Sequence, residues 1–129
     1  MTELVNQLNL NDKIQFLGYI PESELCNYYN LADVCVFPSR YGFGLPTLES
    51  MACGTPTIAG ATLDAIDFVE DDSILIDPDN IEQLASELIR VLTDKKLREQ
   101  LSKKGLKKAS TFSWEKMVEE TIEIYRLFL

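Results

Sequence analysis

The stretch DVCVFPSRYGFGLPTLESMACGTPTIAG, residues 33–60, decides the fold. Its two ends, residues 33–39 and 55–60, are short apolar runs bounded by turn residues, a pattern typical of buried β-strands. Between them, Gly42 and Gly44 precede the segment LPTLESMAC, which has Pro46 where a helix tolerates proline best, in its first turn. The order strand, glycine turn, helix and strand predicts one unit of an α/β fold.

The same alternation extends on both sides of this unit. Further strands are predicted at KIQFLGYI, residues 13–20, and at SILIDP, residues 73–78, with a helix at ESELCNYYNLA before the quoted stretch. Parallel strands need crossover connections, and those crossovers cover both faces of a sheet. The pattern therefore predicts a three-layer α/β domain with a parallel sheet.

The last third of the chain is predicted to be helical. Asp79 and Glu82 suggest a capping box for NIEQLASELIRVL, while Asp94 and Ser113 are expected to cap the two helices that follow. The final helix carries apolar residues at spacings of three and four, and we expect this stripe to be core. The stripe consists of Trp114, Met117, Val118, Thr121, Ile122, Tyr125 and Phe128. Without repeats or long linkers, residues 1–129 are interpreted as one domain.

The composition excludes several classes of function. Twenty-one acidic and twelve basic residues give a net charge of -9, which argues against nucleic acid as a partner. The sequence has no histidine, so catalytic triads and metal sites that use histidine are excluded. No segment approaches the roughly 18 apolar residues of a membrane span, and the first residues do not resemble a signal peptide. We therefore expect a cytoplasmic protein.

Three other features have a functional and a structural interpretation. Cys26, Cys35 and Cys53 are odd in number and lack CxxC spacing, which favours free buried thiols over a disulfide framework or zinc site. Seven of the twelve basic residues lie within residues 95–108, where a solvated helix face is favoured over peripheral contact with the inner face of a membrane. The acidic segment 64–73 lacks the spacing of a cation-binding loop and is interpreted as a solvated loop and helix end.

The glycine turn itself has two interpretations. Gly42 and Gly44 allow backbone amides to converge before a helix N-terminus, an arrangement that suits a phosphate or diphosphate. However, GFG lacks the full GxGxxG and GxxxxGK[ST] patterns, so the pattern alone favours an ordinary strand-to-helix turn. Glu49, expected in the first turn of the helix, is suited either to binding vicinal hydroxyls of a ligand or to stabilising the helix dipole.

Two long segments of the chain closely resemble a known family. FLGYIPESELCNYYNLADVCVFPSRYGFGLPTLESMACGTPTIAG and ILIDPDNIEQLASELIRVLTDKKLREQLSKKGLKKASTFSWEKMVEETIEIYR resemble the C-terminal, donor-binding domain of the retaining GT-B glycosyltransferases of family 4. The resemblance covers about residues 13–126. It implies a Rossmann-like domain that is half of a GT-B fold and lacks its first strands, truncated at its N-terminus.

The resemblance also implies an activity. Such enzymes transfer a sugar from a nucleotide-sugar donor, a UDP-, GDP- or ADP-sugar, to a saccharide or lipid-linked acceptor with retention of configuration, often in polysaccharide biosynthesis. Neither a cofactor nor a metal is implied. By the resemblance, Glu49 is the second glutamate of the family's Glu-x7-Glu motif and binds the ribose hydroxyls. The other implied donor-binding residues are Gly42, Phe43, Gly44 and Leu45 at the turn, Gly18 and Tyr19 near the base, and Asp67.

The chain departs from the family pattern in two ways. The first glutamate of the motif would stand at position 41, which is Tyr41, and no carboxylate lies between Asp33 and Glu49. We do not expect Arg40 or Tyr41 to supply substitute hydrogen bonds for that glutamate. The family's acceptor-binding domain, and the opening strands whose Arg and Lys neutralise the donor diphosphate, have no counterpart here. We expect the chain alone to be inactive and to bind a donor weakly. A non-catalytic interaction module of the same fold, pairing with a separate chain, stays open as the alternative.

Overall fold

Three parallel strands form the sheet in the computed structural model, which describes residues 2–42, 44–69 and 72–128. The strands are β1 (Cys35–Phe37), β2 (Thr57–Gly60) and β3 (Ile74–Ile76), in that spatial order. Ile58 of β2 is in register with Val36 of β1 and with Ile74 of β3. The strands predicted at both ends of the quoted stretch and at residues 73–78 are confirmed, each with shorter bounds.

Helices connect and follow the strands in the described part of the chain. They are α1 (Thr2–Gln7) and α2 (Glu22–Leu31) before β1, α3 (Leu45–Ala52) between β1 and β2, α4 (Leu63–Val69) between β2 and β3, and α5 (Ile81–Thr93), α6 (Lys95–Ala109) and α7 (Trp114–Arg126) after β3. The crossovers α3 and α4 make the parallel pairing feasible. None of the described helices has the length and apolar character needed to span a membrane.

Apolar side chains cover both faces of the sheet. One cluster of buried residues consists of Ile58, Ile76, Val91 and Leu101, and a second consists of Met51, Val69 and Ala109 with the half-buried Leu75 packed against it. Because successive side chains of a strand point to opposite faces, Leu75 and Ile76 of β3 belong to different clusters. The predicted three-layer, Rossmann-like arrangement is confirmed.

Side chains cap the helices of the last third. Asn80 accepts a hydrogen bond from the backbone N–H of Gln83 at 2.9 Å and so caps α5. The capping box predicted for Asp79 is therefore wrong by one residue. Asp94 and Ser113 accept from backbone N–H groups at the starts of α6 and α7, as predicted. Each such cap satisfies a donor that the helix itself leaves unpaired.

Residues 13–20 do not form a strand, so the prediction for KIQFLGYI is wrong. A strand exists only where another strand pairs with its N–H and C=O groups. In the described ranges the sheet ends at β1, and no strand lies beside residues 13–20. Ile14, Phe16 and Leu17 are consequently 41%, 51% and 44% exposed. The apolar composition of this segment is compatible with a strand, but composition alone does not supply the neighbouring strand with which it would pair.

The apolar stripe of α7 is not core, contrary to expectation. All residues of α7 lie within the described ranges, and none of them is buried. Trp114 is 66% exposed and Tyr125 is 68% exposed. A period of 3.6 residues aligns apolar side chains on one face, but burial requires a second surface against that face. The stripe therefore forms an exposed apolar face in the described structure.

Replacement of Ile58 tests how much the sheet depends on its central strand. Ile58 is fully buried at the centre of the first cluster, so Ile58→Ala is expected to lower the free energy of unfolding by about 3 kcal/mol. Urea denaturation followed by circular dichroism measures this loss. The matched control is Ile81→Ala, since Ile81 is 80% exposed and its replacement is expected to cost less than about 0.5 kcal/mol. Equal losses would contradict the assigned core.

Candidate functional site

The turn between β1 and α3 depends on two glycines with left-handed backbone. Gly42 and Gly44 have φ angles of 65° and 70°, which residues with a side chain rarely adopt. A Cβ on Gly44 would also lie 2.2 Å from Cε1 of Phe37, so the backbone passes too close to that ring for any side chain. Gly44 is the N-cap of α3 and supplies no side-chain cap. Pro46 has no N–H group and the N–H of Thr47 donates to the carbonyl of Gly44 at 3.0 Å, so the N–H of Leu45 is the donor that the first turn of α3 leaves without a side-chain cap.

Contacts join the turns that follow the three strands. The Thr62 hydroxyl, after β2, donates to the carbonyl of Gly42 at 3.1 Å. Arg40, after β1, forms an ion pair with Asp79, after β3. The carboxyl ends of parallel strands lie at the same edge of a sheet, and α/β proteins bind ligands in the crevice outside this edge. The glycine turn thus occupies the expected position of a ligand site.

A hydrogen bond from α2 holds the carboxylate of Glu49. The Tyr29 hydroxyl donates to Oε2 of Glu49 at 3.0 Å. Burial of Tyr29 and the adjacent Glu49 carboxylate both raise the pKa of Tyr29, so its hydroxyl stays protonated and acts as the donor. Among the described residues, Oε1 of Glu49 accepts no hydrogen bond. One carboxylate oxygen is therefore fixed and the other is available.

Glu49 lies beyond the first turn of α3, which corrects the sequence prediction. The helix begins at Leu45, so Glu49 is its fifth residue, and the first turn contains no acidic residue. The helix dipole acts mainly within the first turn. The position of Glu49 therefore argues against the alternative interpretation, in which Glu49 serves only to stabilise the N-terminus of the helix.

Buried polar groups fix α3 against β2. The Thr57 hydroxyl donates to the Ser50 hydroxyl at 2.9 Å, and the Ser50 hydroxyl donates to the carbonyl of Thr55 at 3.3 Å. The Thr55 hydroxyl in turn donates to the carbonyl of Tyr29 at 2.7 Å. Because buried hydroxyls are costly to leave unpaired, these bonds favour a single placement of α2 and α3. The geometry of Tyr29 and Glu49 follows from that placement.

A cleft of about 650 Å³ lies beside α3, and Glu49 is on its wall. It is lined by Glu22, Leu45, Leu48, Glu49, Ala52, Phe68, Ala109, Phe112, Ser113, Trp114 and Met117. A volume of this size is typical of small-molecule sites. Trp114 and Met117 were expected in the core and instead form one side of the cleft. Glu49 is a hydrogen-bond acceptor in mostly apolar surroundings.

Four of the implied donor-binding residues lie in one continuous part of the structure, the glycine turn and the helix α3 that follows it. Gly42 and Gly44 form the turn before α3, and Leu45 and Glu49 line the cleft along α3. Tyr29 was not singled out from the sequence. Its position in a helix gave no signal, since only the packing of α2 on α3 brings its hydroxyl to Glu49.

The other implied residues are not joined to this group. Gly18 and Tyr19 precede α2, the Tyr19 side chain is 89% exposed, and no hydrogen bond between described residues links either of them to the turn or to Glu49. Phe43 lies outside the described residues, and so does the side chain of Asp67. Their assigned roles stay predictions.

Arg40 and Tyr41 lie nearest to the position of the family's first glutamate, and neither has a hydrogen bond or ion pair to Glu49 among the described residues. Arg40 is engaged by Asp79, and the side chain of Tyr41 is 85% exposed. Exposed ion pairs are worth little, so Arg40 is held only weakly. Two carboxylates line the cleft, Glu22 and Glu49, and of these Glu49 is held by a hydrogen bond from the Tyr29 hydroxyl.

Comparison with known proteins gives consistent matches. The sequence profile described as Glycosyl transferases group 1 matches residues 1–108. The O-antigen chain mannosyltransferase B of Escherichia coli is 35% identical over 126 residues, which are 97% of this chain and 33% of that protein. The solved structure of sucrose-phosphate synthase from Thermosynechococcus elongatus matches with a TM-score of 0.88 and 36% identity, covering 98% of this chain and 33% of that one.

A more distant match agrees on the fold alone. Anabaena HepE, solved in complex with UDP-glucose, has a TM-score of 0.85 at 20% identity, with 99% of this chain and 36% of that chain covered. The chain thus spans about a third of the length of each of these three proteins.

Alanine at the two glycines separates backbone strain from steric conflict. Gly42→Ala is expected to cost about 1 kcal/mol of stability, because alanine disfavours the left-handed conformation and nothing lies within 4 Å of its Cβ. Gly44→Ala has the same strain and must also displace the Phe37 ring, which adds about 2 kcal/mol. Urea denaturation of both variants measures the difference. Equal losses would show that the backbone does not approach Phe37 as described.

Proposed function

Since the chain belongs to the glycosyl transferases group 1 family, we propose that it binds the nucleotide-sugar donor in a retaining GT-B glycosyltransferase. The sugar passes to a saccharide or lipid-linked acceptor. The observation that carries this proposal is the placement of the Glu49 carboxylate, fixed by Tyr29 through Oε2, in a cleft along the helix that follows the glycine turn.

The glycine turn suits the diphosphate of the donor. Gly42 and Gly44 have no Cβ, so the backbone can approach an anion closely, and the start of α3 offers the N–H of Leu45, which no side chain caps. The helix dipole favours negative charge at the same place. In sugar transfer the leaving diphosphate gains charge, and fixed backbone dipoles stabilise that charge without reorganising.

Glu49 suits the ribose of the donor. A carboxylate accepts hydrogen bonds and donates none, and vicinal hydroxyls are paired donors that match one carboxylate. With Oε2 held by Tyr29, the orientation of Oε1 is set before a ligand arrives, which lowers the entropic cost of binding. Glu49 is therefore a binding residue in this proposal, and no residue of the chain is assigned to the chemical step.

Tyr41 stands where the family pattern has the glutamate that contacts the transferred sugar, so this contact is missing from the chain. Where the family pattern has a carboxylate for the transferred sugar, the chain has a phenol whose side chain is 85% exposed. We assign the positioning of the sugar, the acceptor site and the cations that neutralise the diphosphate to the additional two thirds of sequence that the relatives have. By this account the 129-residue chain binds a donor weakly and does not transfer its sugar.

Exposed apolar surface favours a second candidate function. Trp114, Tyr125 and Phe128 are 66%, 68% and 83% exposed, and the apolar side chains within residues 14–17 are 41–51% exposed. Surfaces of this kind mark sites of association. A non-catalytic interaction module of the same fold would use this surface and would have no requirement for Glu49.

Ligand-observed NMR with UDP-glucose, GDP-mannose and ADP-glucose tests the donor proposal on the 129-residue chain. We expect one of the three to bind with an affinity weaker than micromolar. Glu49→Gln is expected to weaken binding at least tenfold, because a hydrogen bond to a charged group contributes about 1.5–3 kcal/mol. Tyr29→Phe, which keeps the ring and removes the donor to Oε2, is expected to cause a smaller loss.

Glu24→Gln is the matched control, since Glu24 lies in the first turn of α2, is exposed and is not among the residues that line the cleft. Its affinity should equal that of the original chain. Unchanged binding after Glu49→Gln would overturn the role of Glu49. Micromolar affinity of the original chain would contradict the proposal that residues outside this chain are needed to neutralise the diphosphate. The absence of binding for all three donors would favour the interaction module.

A further inference from the structure

Two cysteine side chains meet outside the proposed donor site. Cys26 lies on α2 and Cys53 directly follows α3, and their sulfur atoms are 3.0 Å apart. A disulfide bond is about 2.05 Å long, so the sulfurs need to approach by about 1 Å. Both side chains are free thiols. Contrary to the expectation of buried cysteines, Cys26 is exposed and Cys53 is half-buried.

We propose that Cys26 and Cys53 form a redox modification site. A low-molecular-weight disulfide oxidises the pair to an intramolecular disulfide that joins α2 to the end of α3. Sequence spacing gave no indication of the pair, because 27 positions separate the two cysteines and only the packing of α2 on α3 brings them together.

The two thiols have different surroundings, which sets their order of reaction. Cys26 is exposed, and the side-chain amide of Asn30 donates to its sulfur at 3.4 Å, which orients the thiol. Burial of Cys53, with added effects of Cys26 and Glu49, raises the pKa of Cys53 to about 11, so at neutral pH it stays a thiol. Because Cys26 is exposed and Cys53 is half-buried, the oxidant reaches Cys26 first and Cys53 completes the bond.

The chemistry is two successive thiol–disulfide exchanges. The Cys26 thiolate attacks one sulfur of the reagent, forms a mixed disulfide and releases one reagent thiolate. Cys53 then loses its proton to solvent and attacks the Cys26 sulfur, releasing the second reagent thiolate. In total the two cysteines lose two protons and two electrons, and the reagent gains both electrons, takes up two protons and leaves as two thiols.

The crosslink would lie beside the contact of Tyr29 with Glu49. Tyr29 follows Cys26 by three residues on α2, and the N–H of Cys53 donates to the carbonyl of Glu49 at 3.1 Å. The bond would thus hold together the two helices that carry the Tyr29 and Glu49 side chains. It would also constrain the unfolded chain by closing the loop of residues 26–53.

Oxidised glutathione at pH 8 tests the site on the 129-residue chain. Cys26 and Cys35 fall in one tryptic peptide, so Cys35→Ser provides the background in which a crosslink to Cys53 is assigned without ambiguity. We expect mass mapping after alkylation to find residues 26 and 53 linked within one chain. We also expect a rise in the melting temperature of about 5 °C or more over the reduced protein, because a closed loop of this length stabilises the fold.

Single replacements keep the proposal falsifiable without reliance on donor binding. In the same background, Cys26→Ser and Cys53→Ser should each remove the rise in melting temperature while the reduced proteins melt as before. Restoration of the original melting temperature by a reductant should accompany loss of the crosslink. Three outcomes would each overturn the proposal. They are alkylation of both cysteines after treatment, a persistent mixed disulfide at Cys26, and a crosslink that forms only between chains.

Discussion

The parallel pairing of β2 with strands on both sides is the constraint on which the rest of the structure depends. All four residues of β2 are buried, and its partners β1 and β3 run in the same direction. Parallel pairing requires a crossover before each next strand, which places α3 and α4, and it brings the ends of all three strands to one edge. The glycine turn lies at this edge because β1 ends there. From the turn, α3 begins at Leu45 and carries Glu49.

Most of the sheet was predictable, because its signals are local. The apolar runs around β1, β2 and β3, the glycine turn and the caps at Asp94 and Ser113 were each read from neighbouring residues. Two wrong predictions concern segments whose structure depends on packing or pairing with a distant part of the chain. Residues 13–20 have the composition of a strand but no paired strand in the described structure. The stripe of α7 has the period of a buried helix, but no residue of α7 is buried.

The candidate site was predictable only in part, for the same reason. The sequence and its family resemblance indicated Gly42, Gly44 and Glu49, which lie within one turn and one helix. Tyr29 could not be found in this way, since its hydroxyl meets Glu49 through the packing of α2 on α3. The contact of Cys26 with Cys53 arises from the same packing. Long-range contacts between helices are thus what the structure adds to the sequence.

A titration by two-dimensional ¹H–¹⁵N NMR, with UDP-glucose, GDP-mannose and ADP-glucose in turn, tests the central claim most directly. The claim is that one turn and one helix present backbone amides and a carboxylate to the donor. The account predicts that the amide signals of Gly42, Gly44, Leu45 and Glu49 shift with the donor that binds. Shifts confined to α6 or α7, with these four signals unchanged, would contradict it.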